Sequence, residues 1–121
     1  MIEALRAAGE PTRLRVLALL RQRDLSVGEL VQVLEQSQPR LSHHLKALTA
    51  AGLVERLPEG SFVFYRASTG SYGKAFLDSL FAQLDRDEPE LARDAARLDE
   101  VSAARALRRG TACGLFTIPT I

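Results

Sequence analysis

The segment Gln38-Pro39-Arg40-Leu41-Ser42-His43-His44-Leu45-Lys46-Ala47-Leu48 gathers side chains suited to reading nucleic acid. Arg, Lys, Gln, Ser and His can bond to base edges and phosphate oxygens. Leu41, Leu45 and Leu48 recur at helical spacing and form an inner stripe. At about 100° per residue, Pro39, Ser42, His43 and Lys46 point the other way, with Gln38 and Arg40 on the flanks. Ser37 is an N-cap residue type, and Pro39 is tolerated in the first turn after it. Gly52 can take the left-handed conformation that closes the helix after Ala51. The fourteen residues from Gln38 to Ala51 make a rod of about 21 Å. Such a rod fits lengthwise in a major groove about 12 Å wide, where the N-terminal half of a recognition helix meets base edges. His43 points outward. His44 stands at the edge of the apolar stripe, so a structural, a phosphate-facing and a base-reading role are all open to it.

Local charge agrees with that chemistry. From Ser37 to Ala67 the basic residues are Arg40, Lys46, Arg56 and Arg66, and the acidic ones are Glu55 and Glu59, a net +2 before either histidine is counted. Phosphate contact follows from positive charge and weakens as salt rises. The whole chain, with 16 Lys and Arg against 15 Asp and Glu, is only +1. Recognition of an anionic partner therefore depends on placement, not on bulk charge.

The flanking sequence supplies elements that could position this helix. Ile2 to Ala8 reads as a short helix ended by Gly9. Pro11 opens a second, running to about Gln22, with Leu14, Leu17 and Ala18 at helical spacing and Val16 and Leu20 widening the face. Arg13, Arg15, Arg21 and Arg23 read as its solvated face. Ser26-Val27-Gly28-Glu29 has capping-box spacing, with Leu25 and Leu30 as a hydrophobic staple, and predicts a helix from Val27 to about Leu34. Leu53 to Leu57 and Phe62 to Ala67 read as strands. Leu57-Pro58-Glu59-Gly60 suits a type I turn between them. A loop from Ser68 to Gly73 precedes an apolar stripe of Phe76, Leu77, Leu80, Phe81 and Leu84. That stripe fits either an intramolecular core or a dimer interface. Short helices followed by a hairpin predict a mainly α fold with a small β-hairpin wing: a winged helix-turn-helix.

Composition narrows the function classes. A chain of 121 residues with 46% hydrophobic and 26% charged residues can bury a core. A single cysteine excludes an internal disulfide framework. There is no run of about 18 apolar residues and no basic-then-apolar leader, so the cytoplasm is the expected compartment. No nucleophile–base pair, metal cluster or phosphate loop is evident, and neither catalysis nor a cofactor is expected.

The motifs Glu10-Pro11-Thr12-Arg13-Leu14-Arg15-Val16-Leu17, Leu25-Ser26-Val27-Gly28-Glu29-Leu30, Ser37 to Leu48, Ala51-Gly52-Leu53-Val54 and Phe64-Tyr65-Arg66 together resemble the ArsR family over roughly residues 3 to 84. The resemblance implies a winged-helix repressor that binds double-stranded DNA as a homodimer on a palindromic operator and is released by an effector. It implies DNA contacts from Ser37, Gln38, Pro39, Arg40, Ser42, His43 and His44, phosphate contact from Lys46, and wing contacts from Arg56 and Arg66. It places the dimer interface on the first and last helices, at Ile2 and Leu5 and at Phe76, Leu77, Leu80, Phe81 and Leu84. The sequence departs from the family pattern in three places. Ser61 follows the wing glycine where members often carry Arg. Val31-Gln32-Val33 follows Glu29-Leu30 where metal-responsive members carry Cys-x-Cys. Residues 74 to 109 contain no His, which removes a second family metal site. The resemblance therefore implies no metal site and an effector of another kind, such as a small molecule.

Beyond residue 84 the composition turns to Ala, Arg, Asp, Glu and Leu. Residues 1–84 read as the DNA-binding and dimerisation domain, 85–109 as a helical extension and 110–121 as an apolar tail. Glu90/Arg93 and Asp94/Arg97 have the spacing of solvent-exposed ion pairs. Glu90 to Arg109 is similar to the linker helix of ArsR-type proteins fused to a methyltransferase, although no dinucleotide-type glycine motif follows it. Two alternatives stay open: a thiol or metalloid sensor acting through Cys113, and a helical protein-interaction module.

Overall fold

The computed structural model describes residues 2–84 and 88–113, with side chains described as far as Ala104. Four short helices come first: α1 (Ile2–Ala8), α2 (Pro11–Leu20), α3 (Val27–Leu34) and α4 (Gln38–Ala50). Strand β1 (Leu25–Ser26) precedes α3. After α4 come β2 (Val54–Glu59) and β3 (Phe62–Ala67), then α5 (Ser71–Gln83) and α6 (Pro89–Cys113). The three strands form an antiparallel sheet in the order β1-β3-β2. The fold is mainly helical with a small β-hairpin wing, as the order of elements predicts.

Local chemistry sets the helix starts. Glu10 caps α2 by accepting the Arg13 backbone N–H at 2.9 Å. Ser26 and Glu29 close the expected capping box on α3, and the two staple residues Leu25 and Leu30 are fully buried. Ser37 caps α4 through the Arg40 backbone N–H at 3.4 Å. Between α3 and α4, Glu35 takes a left-handed φ of 55°, which turns the chain in three residues.

The hairpin turn lies further along the chain than Leu57 to Gly60. Glu59 pairs with Phe62, and Gly60 and Ser61 form a two-residue loop with Gly60 at φ 63°. Two-residue hairpins need a positive φ at the first loop position, and only Gly60 supplies it cheaply. Pro58 consequently sits inside β2, opposite Val63. It is tolerated because β2 is the sheet edge. Strand β1 was not expected at all. It is two residues long, and its partners Phe64 and Tyr65 are remote in sequence.

The core joins every helix. Val16, Leu17, Leu19 and Leu20 of α2, Leu30, Val33 and Leu34 of α3, and Leu41, Leu45 and Leu48 of α4 are buried together. Leu77 of α5 and Leu98 and Val101 of α6 belong to the same cluster. Helix α6 docks on α2 and α3. Arg15 grips Asp94 with two bonds, Nε to Oδ2 at 2.8 Å and Nη2 to Oδ1 at 2.9 Å. Asp94 is only 3% exposed. Arg97 donates to the Gln32 carbonyl at 2.7 Å. Asp94 and Arg97 thus bond to other helices in place of the expected surface pair, and Glu90 lies 3.8 Å from Arg15.

The solvated face expected of the α2 arginines holds for Arg21 and Arg23, which are exposed, and is corrected for Arg13 and Arg15, which are half-buried and bonded to other helices. Arg13 bonds His44, Arg15 bonds Asp94, Arg21 bonds Asp78 at 2.9 Å, and Arg23 lies 3.8 Å from Asp99. Helix α6 runs to Cys113, past the Arg109 boundary of the expected extension. The Cys113 thiol and the tail beyond it lie outside the described residues. Among the described residues no helix is long and apolar enough to cross a membrane.

Candidate nucleic-acid interface

Helix α4 is split cleanly by burial. Leu41, His44, Leu45 and Leu48 face the core. Gln38, Pro39, Arg40, Ser42, His43 and Lys46 are exposed, together with the cap residue Ser37. The thirteen residues of α4 make a rod of about 20 Å. No acidic residue occurs between Glu35 and Glu55, so the whole helix presents only positive or neutral side chains. Its two fixed charges, Arg40 and Lys46, lie on the exposed face. Such a face can donate to phosphates along its length and to base edges from its N-terminal half.

His44 does not belong to that face. It is 7% exposed, and its Nδ1 accepts from Arg13 Nε at 3.0 Å. The i to i+3 and i+4 spacing that places His44 near Leu41 and Leu48 turns it toward α2. Burial holds its imidazole below the ordinary value, Glu10 opposes that shift, and Arg13, Arg40 and His43 reinforce it. His43 is the outward member of the pair, its ring edge-on to His44 with centroids 5.8 Å apart.

The wing supplies two more basic residues. Arg56 is exposed on β2. Arg66 is half-buried and donates to Glu55 at 3.2 Å. Glu55 also accepts the Thr69 backbone N–H at 2.8 Å and its hydroxyl at 3.0 Å. Those donors, the Thr69 backbone N–H first, hold its carboxyl below the usual range. Arg66 is therefore tied to the base of the hairpin, while Arg56 is the freer cation. Phe62, at the end of β3 beside the wing turn, is 66% exposed. Sequence reading treated it only as a strand former.

The residues that hold α4 from within were also missed. Thr12, Arg13 and Glu10 on α2 and Gln36 before the cap are the ones concerned. The signals for them are that Glu10, Thr12 and Arg13 crowd the cap and first turn of α2 and fall within the motif from Glu10 to Leu17.

A second surface is apolar. Ile2 and Leu5 of α1 are 65% and 53% exposed, and Tyr72 of α5 is 54% exposed. Phe76, Leu80 and Phe81 of α5 and Leu84 just after it are half-buried. Leu77 departs from its expected place at an interface, because at 1% exposure it is spent on the core of its own chain. Among the described residues no group of three or more His, Cys, Asp or Glu is placed to hold a metal ion.

Comparison with known proteins agrees with this geometry. The family profile described as "Bacterial regulatory protein, arsR family" matches residues 10–56, which run from the α2 cap to the start of the wing. The transcriptional repressor SdpR of Bacillus subtilis is 32% identical over 69 residues, covering 57% of this chain and 77% of SdpR. The solved structure of HlyU from Vibrio cholerae superposes with a TM-score of 0.59 at 40% identity, covering 65% of this chain and 85% of that one. The homodimeric winged helix-turn-helix DNA-binding domain of Mb0332 from Mycobacterium bovis superposes with a TM-score of 0.61 at 26% identity, covering 67% and 74%. The chain therefore belongs to the arsR family of bacterial regulatory proteins, which are winged helix-turn-helix transcriptional regulators.

Proposed function

We propose that the chain is a sequence-specific DNA-binding repressor that acts as a homodimer on an imperfect palindrome. The observation that carries this reading is the exposed, acid-free face of α4, from Ser37 through Arg40, Ser42 and His43 to Lys46. In this reading Gln38, Arg40, Ser42 and His43 meet base edges, while Ser37, Pro39 and Lys46 approach the backbone. Arg56 reaches phosphate from the wing, and Arg66 steadies the hairpin through Glu55. The exposed apolar residues of α1 and α5 support pairing of two copies, and the similar Mb0332 domain is homodimeric by its own description. Two-fold symmetry then sets half-site centres about 34–36 Å apart, or a multiple of that. Repression is favoured by likeness to SdpR, although the similar protein HlyU carries the name of a transcriptional activator. Val31-Gln32-Val33 offers no thiolate where family metal sensors carry one, so release falls to an effector other than a metal at that site.

Fluorescence anisotropy tests this directly, with the DNA upstream of the chain's own gene against a scrambled duplex at one salt concentration. The expected result is tighter binding to the upstream DNA with two protomers per duplex. Equal affinity for both duplexes would overturn the reading.

A further inference from the structure

Besides its apolar packing on α1, α2 and α3, helix α4 and the residue leading into it make two polar contacts to the first turn of α2. Gln36, two residues before α4 begins, donates from Nε2 to Thr12 Oγ1 at 3.3 Å. Further along, His44 accepts from Arg13 Nε at 3.0 Å. The two contacts bracket the N-terminal half of the exposed face. Glu10 completes the group. Its Oε2 accepts the Arg13 backbone N–H at 2.9 Å and lies 3.8 Å from His44 Nδ1. Thr12 and His44 are 5% and 7% exposed, so water competes weakly for these bonds. Accepting from Arg13 uses the Nδ1 lone pair, so the imidazole proton sits on Nε2. That Nε2 is buried and has no hydrogen-bond partner among the described residues. Among the described residues the hydrogen bonding of His44 therefore runs through Nδ1.

We propose that the first turn of α2 is a positioning clamp for the DNA-reading helix, in which Arg13 sets the reading face through a bond that only neutral His44 can accept. Arg13 and His44 are positioning residues here, because neither needs to touch DNA. The clamp rests on the reading of α4 as the DNA-contacting helix. A proton taken from solvent onto Nδ1 turns that atom into a donor facing another donor, Arg13 Nε–H. The acceptor then within reach is Glu10 Oε2. The α2–α4 bond is exchanged for an ion pair with the α2 cap, and His44 gives up its tie to Arg13. Four charged or titratable groups face the ring: Glu10 and Arg13 from α2, and Arg40 and His43 from α4. Glu10 favours the proton, and the other three oppose it. Arg40 stands four residues before His44 on the same helix, so a shift at His44 moves the Arg40 side chain with it.

The test uses the full chain in anisotropy titrations against upstream and scrambled DNA, from about pH 7.5 down to about pH 5. The readout is the ratio of the two affinities, which cancels charge effects common to both duplexes. Titration of the outward His43 is common to wild type and His44→Gln, so comparing the two isolates His44. On acidification the wild-type ratio should fall about twofold or more beyond that of His44→Gln, whose amide oxygen can accept from Arg13 but takes no proton. His44→Ala should lower the ratio at every pH. A ratio that changes equally with pH in wild type and His44→Gln would overturn the clamp. Wild-type protein with no preference at about pH 7.5 would instead remove the reading of α4 on which the clamp depends.

Discussion

Arg40 and Lys46 share one exposed helix face but should fail differently when removed. Arg40 and His43 lie on the part of α4 that meets base edges in the proposed docking. Arg40→Ala and His43→Ala should each cost about 1–3 kcal/mol of specific affinity and relax preference at one position. Lys46→Ala should weaken upstream and scrambled DNA alike and lower the salt slope by about one. Anisotropy at several salt concentrations separates the two patterns. His44 makes a different prediction, on stability. Its folded imidazole sits below the ordinary 6.5, chiefly because it is buried. The unfolded chain therefore takes up a proton that the folded one refuses. Stability is full above about pH 6.5 and declines as pH falls through the depressed folded value. Glu10 and Glu55 add to this at lower pH. Each is held below 4.5 in the fold, Glu10 despite burial because the Arg13 and Thr12 backbone N–H groups outweigh it, so each gives up stability as pH falls further. A melting temperature that does not fall between about pH 7.5 and 5.5 would contradict the His44 part. At this scale the outward set from Gln38 to Lys46 was legible, because helical periodicity alone separates it from Leu41, Leu45 and Leu48. The bond between Arg13 and His44 was not, since it joins residues 31 apart and each alone looks like an ordinary polar side chain.

Elements differ in how much of their placement their own sequence determines. Helix α3 carries its start signal within four residues, and both arms of the Ser26–Glu29 capping box form. Helix α4 carries Ser37 and Pro39 in the same way. Strand β1 and the docking of α6 have no such local signature. Leu25 and Ser26 already fit a staple and a cap, and their pairing with β3 depends on where the wing folds. Helix α6 looks solvent-exposed from its own i to i+3 charges. Asp94 nevertheless finds Arg15, 79 residues away, and Leu98 is fully buried. The hairpin turn was misplaced for a related reason: Pro58 favours a turn locally, but the positive φ of Gly60 decides the register. The docking of α6 carries a quantitative consequence. Removing the Asp94 carboxylate leaves Arg15 partly buried without its bidentate partner, with Glu90 only at 3.8 Å. Asp94→Ala should cost about 2–4 kcal/mol, toward the low end for a broken buried pair because Arg15 keeps some solvent. Leu98→Ala should cost about 2–5 kcal/mol through the cavity it leaves. Urea unfolding monitored by circular dichroism measures both. Losses below about 0.5 kcal/mol would mean that α6 contributes little to the fold in solution.

The whole protomer presents two unlike surfaces, one polar and basic on α4 and one apolar on α1 and α5. A monomer with Ile2, Leu5 and Tyr72 each more than half exposed keeps apolar area in water that a second copy could cover. Leu77 does not contribute, because it is already inside, so the burden falls on residues whose side chains the protomer leaves open. Leu5 is the most informative of them. At 53% exposure it holds little of the protomer's own core, and Leu5→Glu should change monomer stability by no more than about 0.5 kcal/mol. In a dimer built on α1 and α5, the same change buries a carboxylate against apolar neighbours and should split the assembly. Sedimentation at micromolar concentration should then report a monomer for the variant and a dimer for the wild type. DNA binding follows from that difference. In the proposed complex two tethered reading helices engage a palindrome at high effective concentration, so losing the tether should lower palindrome affinity by about 10²–10⁴-fold. Affinity for an isolated half-site should barely change, because α4 is untouched. A Leu5→Glu protein that still sediments as a dimer would place the interface elsewhere. One that is monomeric yet binds the palindrome as tightly as the wild type would separate dimerisation from recognition.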